Sequence, residues 1–321
     1  MEGDAPSREM RTAPGAWFHN TVCKSCLGDD HGGPVSRLFN DWWYAMDRRS
    51  MLLTTGLGML AASMRMPEAW ANPSHAAPPE APSAGGGGPY IFADEFDGPA
   101  GSGPDPGKWT VQTWQDDVFP PVAGIYRDDR RNVFQDGNSN LVLRATREGD
   151  TYYGAKLRGN FHSMINQTWE ARIKLNCLNP GLWSAFWGVN EDPLPDGEVD
   201  VFEWYGNGSW PPGTTVHAAS NGKTWEGKSI PGLVDGGWHI WQMHWAEDGF
   251  HFSRDGAQYF SVPNKPIHVH GGAPDDFRWP FNNPGYWMTP MFTLAVGGVG
   301  AGDPAAGTYP ADMLVDYIRI W

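Results

Sequence analysis

Three carboxylates lie close together in the stretch Glu198-Val-Asp200-Val-Phe-Glu203. Val199, Val201 and Phe202 between them are strand formers, whereas acids disfavour strands and repel one another when adjacent. In strict alternation Glu198 and Asp200 share a face with Phe202, and Glu203 points the other way. One β-bulge, with an extra residue at Val201 or Phe202, turns Glu203 round to join the other two. Three carboxylates on one face cannot all ionise freely, and mutual repulsion raises at least one pKa. One acid then stays anionic while another stays protonated near neutrality. A nucleophile and a general acid are what retaining glycoside hydrolysis needs, with carboxyls roughly 5–5.5 Å apart. The middle acid holds a proton or hydrogen bond between them. A calcium site and a solvated edge strand are the competing readings. Calcium prefers loop oxygens and carbonyls, and a solvated edge would not carry Val201, Phe202 and Trp204 so densely.

Strands must position these acids. Asn140 to Thr146 alternates, and Trp169 to Leu175 alternates cleanly with Trp169, Ala171, Ile173 and Leu175 on one face. Trp238–Trp245, Phe250–Ser253 and Gln258–Val262 are separated by Asp248-Gly249 and Asp255-Gly256, which are hairpin signals. Met313 to Trp321 is a last strand. No helical period persists and no 20–50-residue repeat is visible. The expectation is one all-β domain from Tyr90 onward, a sandwich or jelly roll of about 230 residues.

The composition agrees. Eighteen Trp, 41 Gly and 28 Pro in 321 residues describe a turn-rich β protein with aromatic surfaces. Trp fills cores and also stacks on sugar rings, so carbohydrate is a candidate ligand. The net charge of −14 argues against nucleic acid or an anionic membrane as partner.

The first 89 residues read as an address and a spacer. Arg48-Arg49, the moderately apolar run Ser50 to Met64 and Ala69-Trp70-Ala71 form a twin-arginine signal peptide over 46–71, cut after Ala71. A Pro/Gly-rich linker follows over 72–89. Residues 1–45 precede the signal and are expected to be an over-extended, unstructured N-terminus. Cys23 and Cys26 lie there, and a lone C-x-x-C is a weak signal. The mature chain would carry only Cys177, a small buried apolar residue. The expected product is secreted, without a membrane anchor after cleavage, and monomeric.

The sequence resembles glycoside hydrolase family 16, its laminarinase-like branch. Glu198-Val-Asp200-Val-Phe-Glu203 matches the family motif E-[ILV]-D-x-x-E. Asp94-Glu-Phe-Asp97, Gly181-Leu-Trp-Ser-Ala-Phe-Trp187, Ala295-Val-Gly-Gly298 and Leu314-Val-Asp-Tyr-Ile-Arg-Ile320 look like further family segments in the expected order. The resemblance implies a catalytic domain over 90–321: a concanavalin-like antiparallel β-jelly roll with a glycan cleft on its concave face. It makes Glu198 the nucleophile, Asp200 its assistant, and Glu203 the acid and then the base. It places His217 near the cleft, a structural histidine being the alternative. Trp183, Trp187 and Trp204 become candidates for sugar stacking, with at least one expected in the core. Arg158 becomes a candidate for sugar hydroxyls. A structural calcium is implied at Glu95 and Asp316, two ordinary surface acids being the alternative; no cofactor is required.

The implied substrate is a β-1,3-glucan. Mixed-linkage glucan, galactan or agar-type polymers by the same mechanism, transglycosylation, and a non-catalytic carbohydrate-binding jelly roll remain alternatives. Three departures bear on this. No Trp stands just before Glu198, where Glu191 to Gly197 reads EDPLPDG. Ser184 replaces a usual Pro, and Thr293 a usual Asn. The loop Asn207 to Gly213 and the stretch His268 to Pro284 are expected to wall the cleft.

Overall fold

The computed structural model describes residues 90–113, 124–190, 197–219, 224–269, 273–274 and 276–321. The expected N-terminal extension, signal peptide and linker, with Cys23 and Cys26, lie outside the described residues, as does the whole EDPLPD approach to Glu198.

The described residues form eighteen strands: β1 (Phe92–Asp94), β2 (Trp109–Val111), β3 (Gly124–Tyr126), β4 (Val133–Gln135), β5 (Leu141–Glu148), β6 (Thr151–Gly159), β7 (Gln167–Asn176), β8 (Leu182–Val189), β9 (Glu198–Tyr205), β10 (Gly213–Ala219), β11 (Thr224–Ser229), β12 (Trp238–Ala246), β13 (Gly249–Arg254), β14 (Ala257–Pro263), β15 (Ile267–His268), β16 (Phe277–Arg278), β17 (Thr289–Val296) and β18 (Ala311–Ile320). The helical content of the described residues is the short 3₁₀ turn Pro304–Ala306. No helix among them is long and apolar enough to cross a membrane.

The strands form the jelly roll. One layer runs β11-β10-β9-β8-β17-β6, the other β5-β18-β7-β12-β13-β14, and the β5–β6 hairpin joins them. Along β7, Trp169, Ala171, Ile173 and Leu175 are buried on alternate positions, as the sequence pattern requires. The β13–β14 hairpin turns on Asp255 and Gly256 at φ 53° and 78°, the two positive values a type I′ turn demands.

The core lies between the layers. Phe202 of β9 meets Trp241 of β12 with ring centroids 4.4 Å apart. Trp169 of β7 packs against Phe186 of β8 and fills the space left by Gly188, where a Cβ would strike its ring. Burying one such side chain contributes about 1.5–3 kcal/mol. Cys177 is buried with a free thiol, which burial pushes up to about 12, so it packs as a small apolar residue.

Candidate active site

β9 is bulged where the sequence requires it. Its register against β8 pairs Glu203 with Ala185, Phe202 with Phe186, and Asp200 with Trp187, leaving Val201 without an opposite number. Val201 and Phe202 therefore both turn into the core, with Val199. Glu198, Asp200, Glu203 and Tyr205 are left on the open face.

The same bulge puts Trp204 on the core side of β9, where it packs, partly buried, against the core, as expected for at least one of the three indoles. Trp183 and Trp187 do share the open face, two β8 pairs on either side of Ala185. Trp187 donates its indole N–H to Thr293 Oγ1 at 2.9 Å, and Lys156 Nζ lies 5.4 Å from its ring centre. Trp183 rests on Gly300, where a Cβ would come within 2.5 Å of the ring. Arg158 lies on the row that runs from Thr215 through Asp200, Trp187 and Met291 across successive strands. It is thus on the same face but three strands from the acids.

The acids differ sharply in environment. Asp200 is 3% and Glu203 8% exposed. His217, opposite Glu198 on β10, brings its Nε2 to 3.4 Å from Asp200 Oδ2 and 3.8 Å from Glu198 Oε1. Burial alone would lower the pKa of His217. The hydrogen bond to Asp200 and the charges of Glu198, Asp200 and Glu203 overcome it and push the imidazole up to about 9. Burial, reinforced by the nearby charge of Asp200, pushes Glu203 up to about 8. A cationic His217 thus neutralises the Glu198–Asp200 end, while Glu203 holds a proton at neutral pH.

Both Glu203 oxygens are engaged. Trp183 Nε1 donates to Oε1 at 2.9 Å and the Tyr205 hydroxyl to Oε2 at 2.6 Å. The Tyr205 ring is itself held by Trp183 at 5.8 Å and by Trp210, edge-on, at 5.3 Å. Tyr205, Lys156 and Thr293 are site residues that motif reading did not assign. Tyr205 carried a usable signal: once the bulge is counted, a residue two past Glu203 must share its face.

The cation expected at Glu95 and Asp316 does not fit these residues. Both Glu95 oxygens accept from Arg319 at 2.9 and 2.8 Å, and Asp316 accepts from Arg172 at 2.5 Å. Each carboxylate already has a guanidinium in the place of a cation. Among the described residues, Glu198, Asp200 and His217 put ligand atoms within 4.8 Å of one another. A concavity of about 690 Å³ lies apart from the acids, ringed by Arg127, Arg130, Arg131, Arg144 and Arg147. Arg127, Arg131 and Arg144 are already paired with Asp129, Glu148 and Asp312.

A jelly roll presenting three carboxylates on its open sheet, one of them buried and held protonated at neutral pH, is of the glycoside hydrolase class. Residues 124–287 match the profile of Glycosyl hydrolases family 16, and the chain belongs to that family. It is similar to an immunostimulatory antigen and pseudo beta-1,3-glucanase of Mycobacterium tuberculosis, with 52% identity, TM-score 0.68, and coverage of 73% of this chain and 99% of that one. It is also similar to a beta-1,3-glucanase from Mycobacterium marinum, with 49% identity, TM-score 0.66 and coverage of 73% and 99%. A third relative is glucan endo-1,3-beta-glucosidase A1 of Niallia circulans, 26% identical over 269 residues, which are 72% of this chain and 37% of that protein. The chain thus spans little more than a third of that relative's length.

Proposed function

We propose that the chain is an exported, retaining endo-β-glycosidase that cleaves β-1,3-glucan. The observation that carries this reading is the split within one bulged strand. Glu198 lies beside a cationic His217, whereas Glu203 is buried and held up to about 8. An anionic carboxylate and a protonated one on the same face are the two groups that double displacement requires.

In the first step Glu198 attacks the anomeric carbon. Glu203 gives its proton to the departing glycosidic oxygen as the C–O bond breaks. In the second step Glu203, now anionic, takes a proton from water, which attacks the same carbon and releases Glu198. His217, beside both Glu198 and Asp200, balances their charge. Trp187, with its indole fixed on Thr293, supplies an apolar face for a sugar ring. The glucan assignment is supported by the names of the relatives from M. marinum and N. circulans. Export is supported by the twin-arginine pattern over 46–71.

A second reading, glycan binding without turnover, is favoured by two observations. Both oxygens of Glu203 are already engaged by protein donors, and the M. tuberculosis relative is called a pseudo-glucanase. Assay of the purified chain on laminarin, lichenan, agarose and galactan separates the two. The hydrolase reading expects new reducing ends from laminarin, and their loss by at least about 10³-fold in Glu198→Gln with the fold intact. Laminarin binding without any reducing ends would establish the second reading instead.

A further inference from the structure

Glu203 is gripped by two donors of different kinds, and the difference has chemical content. The Trp183 indole N–H can only donate. Oε1, 2.9 Å from it, is therefore an acceptor in every protonation state. The proton that Glu203 carries as an acid is favoured on Oε2, because a donor-only indole is better met by the unprotonated carbonyl oxygen. Oε2 faces the Tyr205 hydroxyl at 2.6 Å, a group that both donates and accepts. We propose that Tyr205 is a positioning residue for the proton of Glu203: it accepts from Oε2–H while Glu203 is an acid and donates to Oε2 once that proton has gone to the leaving sugar. This deepens the hydrolase reading and rests on it.

The geometry leaves Tyr205 little else to do. Its ring is wedged between Trp183 and Trp210, so the hydroxyl cannot swing away without disturbing two indoles. Asn207 anchors the loop that carries Trp210, accepting from the backbone N–H groups of Ser209 and Trp210 and donating to Val299 O. Burial, with Glu203 close by, raises the Tyr205 phenol well above its ordinary value, so it keeps its proton throughout the working range. The other titratable groups that face Glu203 are Asp200 and Glu198 of β9 and His217 of β10; β8 contributes the uncharged Trp183. Among these, the Tyr205 hydrogen bond favours the anion, as does the charge of His217, whereas burial, Asp200 and Glu198 oppose it. Tyr205 therefore makes Glu203 a readier proton donor than its burial alone would allow.

Two measurements on Tyr205→Phe test this. The first is titration of Glu203 by NMR of the purified chain labelled with ¹³C at the glutamate carboxyls, with Glu203→Gln identifying the signal. The midpoint is expected to move up by about one pH unit when the hydroxyl is removed. Trp183→Phe, which removes the other donor, is expected to move it in the same direction. The second is leaving-group dependence. Tyr205→Phe should lose about tenfold in kcat/KM on glucan, whose leaving sugar needs the proton. It should lose little on a dinitrophenyl glycoside of the same glucan, whose leaving group does not. A midpoint that stays or falls in Tyr205→Phe overturns the proposal, as do equal losses on both substrates, which a merely structural role would give. The titration reads Glu203 whether or not glycan is cleaved. A shifted midpoint in an inactive chain would therefore remove the hydrolase reading and leave the proton-positioning contact standing.

Discussion

His217 Nε2 sits 3.4 Å from Asp200 Oδ2, a contact between β10 and the bulged strand β9 that ties the site together. Asp200 Oδ2 is buried, and the imidazolium beside it is its counter-charge. The folded-state pKa of His217, about 9, lies above its ordinary 6.5. A raised pKa means that the stability this ion pair contributes is fully present below about pH 6.5 and is lost as pH rises through about 9. His217→Asn is expected to lower stability by about 2–4 kcal/mol at pH 6 and to flatten the decline between pH 6.5 and 9. Denaturant unfolding across that range measures both.

Glu203 gives a second pH signature of the same sign for a different reason. Its folded pKa, about 8, is above the ordinary 4.5 because burial disfavours the charge. The folded state holds the proton longer than the unfolded one, so stability falls as pH rises from about 4.5 through about 8. Glu203→Gln removes the ionisable group. It is expected to melt at a higher temperature than the parent at pH 9 and to show no such gain at pH 4. Its rate on glucan should fall by about 10²–10⁴-fold.

Trp204 and Trp187 should separate packing from binding. Trp204 lies on the core side of β9, so Trp204→Ala is expected to cost about 3 kcal/mol of stability and to leave KM for glucan nearly unchanged. Trp187 stands on the open face over Lys156 and Thr293. Trp187→Ala is expected to raise KM about tenfold, equivalent to about 1.4 kcal/mol, with kcat less affected. Unfolding curves and steady-state kinetics on both variants check this.

The acidic strand shows how far sequence reading reaches. The interval of two and then three residues between Glu198, Asp200 and Glu203 implied a bulge, because only a bulge lets the three acids share a face. The register places it at Val201. Carrying that count two residues further would have put Trp204 in the core and Tyr205 beside Glu203. The alternation of β7 and the Asp255-Gly256 turn were equally legible, since both are local consequences of strand pleat and turn geometry. Lys156 and Thr293 were not assignable in that way. They reach the site through the ladder order β6-β17-β8, which sets strands distant in sequence side by side, and no local pattern encodes that order. The arginine partners of Glu95 and Asp316 were hidden for the same reason: Arg172 meets Asp316 across the β7–β18 pair.

The stereochemistry of the first product tests the central claim most directly. The purified chain is mixed with laminarin and the anomeric protons of the released reducing ends are followed by ¹H NMR from the earliest time point. Double displacement through Glu198 predicts that the β-anomer appears first and that the α-anomer grows in only by mutarotation. Initial release of the α-anomer, or glucan bound with no reducing end formed, would contradict the account.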